Sequence, residues 1–129
     1  MRLYILDGGI GNVTTIIWLF VVILLIVILI ESVVMLLLKF NNFGKCVIDS
    51  IIVNVASALV GYCTLGLVND ISSGGGILFQ WFIIYVITVI VEGLLLWILN
   101  RQQPTKKIWT VAITMNLVSY IFLYLISLL

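Results

Sequence analysis

Two glutamates are the residues of this chain best suited to chemistry. Glu31 and Glu92 are its only glutamates among 129 residues, and each lies inside a long apolar run. A carboxyl group in such a run can exchange a proton, attract a cation or accept hydrogen bonds from neighbouring helices. The residues that surround each glutamate therefore determine which of these roles is available.

Each glutamate is followed along the chain by an asparagine and a serine in the same order. The polar layer, as we call this set, consists of Glu31, Asn54, Ser57, Glu92, Asn116 and Ser119. The asparagines and the serines recur at a spacing of 62 residues, and the glutamates recur at a spacing of 61. Because these residue types are uncommon inside apolar runs, the matches favour a duplicated helical hairpin.

The polar layer is predicted to lie at one depth. Its glutamates and asparagines are eight or nine residues from a basic residue at a helix end, or about 12–14 Å along a helix. An isolated charge near the bilayer centre costs about 2.5–3.5 kcal/mol on insertion scales, so both carboxyl groups should face the protein interior. A neutral carboxyl complements an asparagine amide. We expect Glu31 to pair with Asn54 and Glu92 with Asn116; pairing of Glu31 with Asn116 is the alternative.

The composition indicates an integral membrane protein. The chain is 64% hydrophobic and 9% charged, whereas soluble domains average about 45–50% apolar and about 25% charged residues. Four apolar runs, at 13–38, 47–68, 77–99 and 108–128, follow a lead-in at 1–12. Each has the roughly 20 residues that a bilayer crossing requires. The sequence thus predicts a single all-α membrane domain of four transmembrane helices, arranged as two parallel-repeat hairpins.

The basic residues predict an orientation. Five of the six flank the first and third connections, namely Lys39, Lys45, Arg101, Lys106 and Lys107. The second connection, predicted as a flexible loop over Asn69–Gly76, carries Asp70 and no basic residue. The positive-inside rule then places both basic connections in the cytoplasm and both termini outside. This arrangement is expected in a bacterial inner membrane.

A stripe of small residues follows one face of the second predicted helix. Ser50, Asn54, Ser57, Ala58 and Gly61 have the spacing i, i+4, i+7, i+8 and i+11. Small side chains on one face allow another helix to approach closely in a membrane. We therefore interpret this face, outside the polar layer itself, as a helix-packing surface.

Asp49 is predicted to lie in the first turn of the second helix. A carboxylate there interacts favourably with the helix dipole. The alternative is a salt bridge from Asp49 to Lys39 or Lys106.

The residue types present argue against several functional classes. The chain has no histidine and no CxxC, Gly-x-Ser-x-Gly or phosphate-loop motif, so we expect no enzyme activity, no metal site and no cofactor. A net charge of +1 gives no indication of nucleic-acid binding.

Two functions remain as expectations. The first is a small non-enzymatic subunit that packs against lipids and within a larger membrane complex, or associates with itself. The alternative is a small proton- or ion-coupled transporter or channel that uses Glu31 and Glu92. Dry, fully hydrogen-bonded glutamates would favour the first function, and a cavity between them would favour the second.

Overall fold

A computed structural model describes the backbone of residues 9–72 and 76–128, and within these ranges the side chains of all but 9–12, 65, 67–72 and 77. The described chain consists of four α-helices and contains no strand. They are α1 (Gly9–Leu37), α2 (Phe43–Ser72), α3 (Gly76–Leu99) and α4 (Thr105–Ser127). All four are long and apolar enough to span a membrane, with apolar stretches of 22 to 25 residues.

Some helix boundaries differ from those predicted. Helix α1 begins at Gly9, inside the predicted lead-in, and α2 begins at Phe43 rather than at residue 47. The Asn42 side chain explains the early start of α2, because its Oδ1 accepts a hydrogen bond from the Lys45 backbone N–H at 2.9 Å and caps the first turn. Helix α4 likewise begins earlier than predicted, at Thr105.

The predicted loop at 69–76 is wrong in its first half. Helix α2 continues to Ser72, so Asp70 lies in a helix, and α3 resumes at Gly76. Residues 73–75 and the first eight residues of the predicted lead-in at 1–12 lie outside the described residues. Backbone hydrogen bonding within a continuing helix outweighed the turn propensity of Asn69 and Asp70.

The end of α1 is a tight reversal of the chain. Lys39 has a left-handed backbone, with φ of 52°, and its N–H bonds the Leu36 carbonyl while the Phe40 N–H bonds the Met35 carbonyl. This pair of bonds is the Schellman motif, in which glycine usually occupies the position of Lys39. The reversal places Phe40, fully buried, beside Met35 in the core.

The four helices pack in a ring in the order α1, α2, α3, α4, and α4 returns to contact α1. The buried apolar core lies toward the connections at 38–42 and 100–104. It comprises Met35, Phe40, Cys46, Val53, Leu96, Ile108, Val111, Ala112 and Met115. We call this end of the bundle, up to the polar layer, the basic-loop half.

The far half is the part of the bundle on the other side of the polar layer. It includes α1 before Glu31, α2 after Ser57, α3 before Glu92 and α4 after Ser119. The side chains described as buried in this half, Val27, Ile28 and Val89, all lie in the turn next to the layer. The ring of helices is therefore filled at one end and loosely packed at the other.

Candidate functional site: a buried carboxyl layer below a cavity

Glu31 lies on the inward face of α1 and is 1% exposed. Its Oε2 atom accepts hydrogen bonds from the Asn54 amide and from the Ser50 hydroxyl, the latter at 3.1 Å. Its Oε1 atom accepts a hydrogen bond from the Ser119 hydroxyl at 3.2 Å. Helices α2 and α4 therefore both contact this carboxyl group.

Glu92 occupies the corresponding position on α3 and is also 1% exposed. Its Oε2 atom accepts a hydrogen bond from the Asn116 amide at 2.8 Å, and its Oε1 atom accepts one from the Ser57 hydroxyl at 2.7 Å. Helices α4 and α2 thus contact Glu92, as they do Glu31.

The two carboxyl groups join the hairpins crosswise. Each glutamate accepts from the asparagine of its own hairpin, as the sequence predicted for Glu31–Asn54 and Glu92–Asn116. The alternative pairing of Glu31 with Asn116 is not found among the described contacts. The serines provide the connections between hairpins instead, because Ser119 of α4 bonds Glu31 and Ser57 of α2 bonds Glu92.

Local hydrogen bonds orient the donors of the polar layer. The side-chain amides of Asn54 and Asn116 each also donate to the carbonyl oxygen four residues earlier, at 2.9 Å. The hydroxyls of Ser57 and Ser119 also approach the carbonyl oxygens three residues earlier, at 3.2 and 3.1 Å. These contacts hold each side chain against its own helix. The amide and hydroxyl donors are therefore already oriented without the carboxyl groups.

The two halves of the polar layer differ in one donor. Ser50 donates to Glu31, but the residue 62 positions later is Ala112, which has no hydroxyl. Asn116 is only 1% exposed, yet its Oδ1 has no hydrogen-bond partner among the described residues. A buried acceptor without a donor is unfavourable by about 1–3 kcal/mol. The Glu92 side of the layer therefore has an unused acceptor.

No basic side chain in the described part of the chain pairs with either glutamate, because the ion pair found there joins Lys45 and Asp49. The same residues contain no cluster of three or more histidine, cysteine, aspartate or glutamate side chains arranged for a metal ion. Among the described residues, the groups that donate to the two carboxyl groups are thus neutral amides and hydroxyls.

A cavity of about 300 Å³ lies directly against the polar layer. All six members of the layer line it, and so do apolar side chains of the far half, including Phe20, Leu24, Ile84 and Leu123. The basic-loop half contributes no lining residue beyond the layer. The carboxyl groups therefore form the polar floor of an apolar cavity that extends into the far half.

The small-residue stripe on α2 divides at the polar layer. Ser50, below the layer, is fully buried and contacts α1 through the Ile28 carbonyl at 3.3 Å. Above it, Ala58 and Gly61 line the cavity, and a Cβ added at Gly61 would meet nothing within 4 Å. Within this chain, the small residues above the layer leave space for the cavity and do not bring a helix close.

A second polar cluster closes the basic-loop half. Asp49 is fully buried and lies in the second turn of α2, so the predicted first-turn position is wrong. Its partner is Lys45, one turn earlier, in place of the proposed Lys39 or Lys106. Asn100 donates to Asp49 Oδ2 at 2.8 Å and accepts from the Asn41 amide at 3.0 Å. This cluster ties the two basic connections together.

The remaining basic residues lie at the same end of the bundle. The Lys107 ammonium donates to the Lys39 carbonyl at 2.7 Å. The Arg101 guanidinium lies 5.5 Å from the centre of the Trp97 ring, and Lys106 is exposed. The five predicted cytoplasmic anchors thus share one end of the bundle. The hydrogen bond from Lys107 to Lys39 also joins α4 to the first connection.

Sequence reasoning missed two contacts next to the site. Gly93 follows Glu92, and a Cβ placed there would come within 2.4 Å of the Trp109 ring. Thr88 and Tyr120, whose hydroxyls lie 2.9 Å apart, both line the cavity. A glycine in the middle of an apolar helix is a signal for close packing, whereas nothing in the sequence pairs Thr88 with Tyr120.

Comparison of the chain with protein-family models, with curated proteins and with solved structures finds no match.

Proposed function

We propose that this chain is a small integral membrane transporter that binds a cation at Glu31 and Glu92 and exchanges it for protons. One observation carries the proposal: both buried carboxyl groups lie on the floor of the same cavity. Ionisable residues inside a membrane segment mark ion or proton pathways when they face a cavity. A purely structural layer has no need of the cavity above it.

The arrangement in the membrane follows from the basic residues. We place the connections that hold Lys39, Lys45, Arg101, Lys106 and Lys107 in the cytoplasm, and both termini outside a bacterial inner membrane. The far half then faces outward, and the cavity is directed toward the external side. The crosswise hydrogen bonds support a repeat of two parallel hairpins related by an axis along the membrane normal.

Transport by this site requires a second conformation. The cytoplasmic side of the layer is closed by the buried core and by the Asp49–Asn100 cluster. The bonds of Ser57 to Glu92 and of Ser119 to Glu31 join the two hairpins. We propose that these two bonds break when the hairpins rock to open the layer to the other side, while the Glu–Asn bonds inside each hairpin persist.

Flux measurements in liposomes test the proposal. The purified protein is reconstituted with a pH-sensitive dye inside, and a gradient of sodium, potassium or an organic cation is applied. We expect cation-driven proton movement that Glu31→Gln and Glu92→Gln each reduce to the rate of empty liposomes, because glutamine keeps the shape but cannot exchange a proton. Asp49→Asn is the matched control, since it alters a buried carboxyl group outside the cavity.

The results separate transport from a structural role. Flux that both glutamine variants retain would overturn the assignment of the carboxyl groups. If Asp49→Asn also abolishes flux in a correctly folded protein, the loss of flux is not specific to the carboxyl groups at the cavity.

A second function is favoured by a different observation. Each of the four carboxyl oxygens of Glu31 and Glu92 has a donor within the chain, as expected of hydrogen bonds that hold helices together. In this view the chain is a non-enzymatic subunit of a larger membrane complex or oligomer. Gentle solubilisation followed by native mass measurement tests it. An isolated monomer would argue against the subunit, and lower stability of Glu→Leu but not Glu→Gln variants would support a structural layer.

A further inference from the structure

The unused acceptor at Asn116 points to the chemical class of the ligand. We infer that the cavity binds a protonated amine with a small apolar body, with at least one N–H group directed at Asn116 Oδ1. This inference rests on the proposed function and specifies its substrate.

The first argument is the acceptor itself. Asn116 lines the cavity, and its amide nitrogen is fully used by the Glu92 carboxyl group and a backbone carbonyl. Its Oδ1 atom is buried, with almost no accessible surface, and has no donor among the described residues, so the Asn116 side chain turns toward the cavity when a ligand binds it. A ligand that donates a hydrogen bond to this atom removes an unfavourable feature of the empty site.

The second argument is charge. Two carboxyl groups share the cavity floor, and the described residues supply no basic side chain to it. A cationic ligand provides the missing positive charge in a poorly solvated space, where electrostatic attraction is stronger than in water. A neutral or anionic ligand would leave an ionised carboxyl group without a counter-charge.

The third argument is the shape of the cavity. Its volume of about 300 Å³ is at the lower end of the range for small-molecule sites, about 300–1,000 Å³. Phe20, Ile23, Leu24, Ile84 and Leu123 form apolar walls above the polar floor. A bare metal ion would leave these walls without a partner, whereas an alkyl or aryl group bound to the ammonium would cover them.

Hydrogen bonding distinguishes an amine from a quaternary ammonium ion. Both have the charge and an apolar body, but only the amine can donate to Asn116 Oδ1. A site with buried polar atoms that need a hydrogen-bond partner discriminates strongly against analogues that lack the hydrogen-bonding group. We therefore expect selectivity for N–H cations over fully methylated ones of the same size.

Binding of the amine is linked to proton release. Glu31, Glu92 and Tyr120 are the titratable side chains that line the cavity from α1, α3 and α4, and none lines it from α2 among the described residues. An ammonium ion binds best to an ionised carboxyl group, so a proton held there leaves as the cation enters. Binding should thus strengthen as the pH rises, and each bound amine should release up to one proton.

Equilibrium binding to the purified full chain in lipid nanodiscs tests the inference. The probe is radiolabelled n-hexylammonium, and the competitors are N,N,N-trimethylhexylammonium, 1-hexanol and sodium chloride. We expect saturable binding of n-hexylammonium and at least about tenfold weaker competition by the trimethyl analogue, which loses one hydrogen bond to a buried acceptor. Hexanol, which lacks the charge, should compete more weakly still.

Asn116→Leu provides the protein-side test. It removes the acceptor with little change in volume, so the preference for n-hexylammonium over the trimethyl analogue should disappear. Asn41→Leu is the matched control, because Asn41 lies in the basic-loop half outside the cavity, and it should keep the preference. Circular dichroism and size-exclusion chromatography establish that each variant is folded.

The outcomes keep the two proposals apart. The inference of an amine ligand is overturned if the two ammonium ions compete equally, or if the preference survives in folded Asn116→Leu. Either result leaves the proposal of cation transport in place. Displacement of the probe by millimolar sodium also overturns it in favour of an inorganic ion. Failure of every cation to bind saturably, together with absence of flux in liposomes, overturns both proposals.

Discussion

The basic-loop half and the far half of the bundle are built from the same kind of apolar helix, yet they are packed differently. In the basic-loop half, Met35, Leu96 and Met115 are fully buried, and the polar side chains of Asp49 and Asn100 have partners. In the far half no described side chain is buried beyond the turn next to the polar layer, and the space between the helices is a cavity. The contrast indicates that one end is a scaffold and the other an opening.

The polar layer lies where the two halves meet, and this position affects its chemistry. Its donors are held by contacts with their own helices, as in the scaffold. One of its acceptors, Asn116 Oδ1, is left without a partner, as expected at the edge of an opening. A carboxyl pair that is supported from one side and lines a cavity on the other is positioned for binding, since a rigid support preserves its geometry.

The largest stability effect is expected from Asp49→Ala in the basic-loop half. This change removes the partner of Lys45 and of the Asn100 amide in a fully buried position. We expect the free energy of unfolding to fall by about 3 kcal/mol, because the buried Asn100 amide and the partly exposed Lys45 ammonium each lose a hydrogen bond to a carboxylate. Unfolding by denaturant in mild detergent measures it.

Lys106→Ala is the control for the Asp49 variant. Lys106 is exposed at the same end of the molecule, so its loss should change stability by less than about 0.5 kcal/mol. Equal effects of the two substitutions would contradict the view that this end is a packed scaffold.

The next largest effect is expected from Gly93→Ala, and Gly61→Ala is its counterpart in the far half. A Cβ at Gly93 would overlap the Trp109 ring, whereas one at Gly61 would meet open space. We expect Gly93→Ala to lower stability by about 2 kcal/mol through overpacking. Gly61→Ala should leave stability unchanged or raise it by up to about 1 kcal/mol, because alanine favours helix.

The two glycine variants are compared in the same unfolding assay. Trp109→Leu in the Gly93→Ala background should recover part of the loss, since the clash involves the indole ring. Equal losses at the two glycines would contradict the packing difference between the halves.

The sequence predicted the Glu–Asn pairs because rare polar residues at equal depth in apolar helices have few possible partners. It did not predict that Ser57 and Ser119 would cross between hairpins, because that depends on the ring order of four helices. The asymmetry between Ser50 and Ala112 is visible in the sequence, but the unpartnered Oδ1 of Asn116 is visible only in the structure.

Helix ends and the Asp49 cluster show a different limit. The Asn42 cap and the i, i+4 spacing of Lys45 and Asp49 were local signals that could have been used. The bond from Asp49 to Asn100 joins residues 51 positions apart, and no periodicity indicates it. The cavity could not be predicted either, because the small residues that line it, Ala58 and Gly61, also fit a helix-packing face.

A smaller effect, on binding and not on stability, is expected from Gly61→Leu. A leucine side chain at Gly61 would extend into the cavity, because the space around this position is open. We expect n-hexylammonium to bind about tenfold more weakly, a loss of about 1.4 kcal/mol, while the unfolding free energy is unchanged or rises by up to about 1 kcal/mol, as for Gly61→Ala.

Tyr62→Leu is the matched control for this substitution. Tyr62 follows Gly61 on α2 but points away from the bundle and is 79% exposed. It should retain full binding. If Gly61→Leu binds the amine as tightly as the parent chain, the cavity is not the binding site.

The smallest effect is expected from Lys39→Gly at the end of α1. Lys39 holds φ of 52°, a left-handed conformation that favours glycine. Glycine should raise the free energy of unfolding by about 1 kcal/mol by relieving this strain, while the chain reversal at Phe40 stays the same. Unfolding by denaturant measures the gain.

Lys39→Ala is the control, because it keeps a Cβ and should give no such gain. A gain in both variants would indicate that the lysine charge, and not the backbone, limits stability at this end. Because Lys39 lies on the scaffold side of the layer, flux and amine binding should be the same in all three proteins.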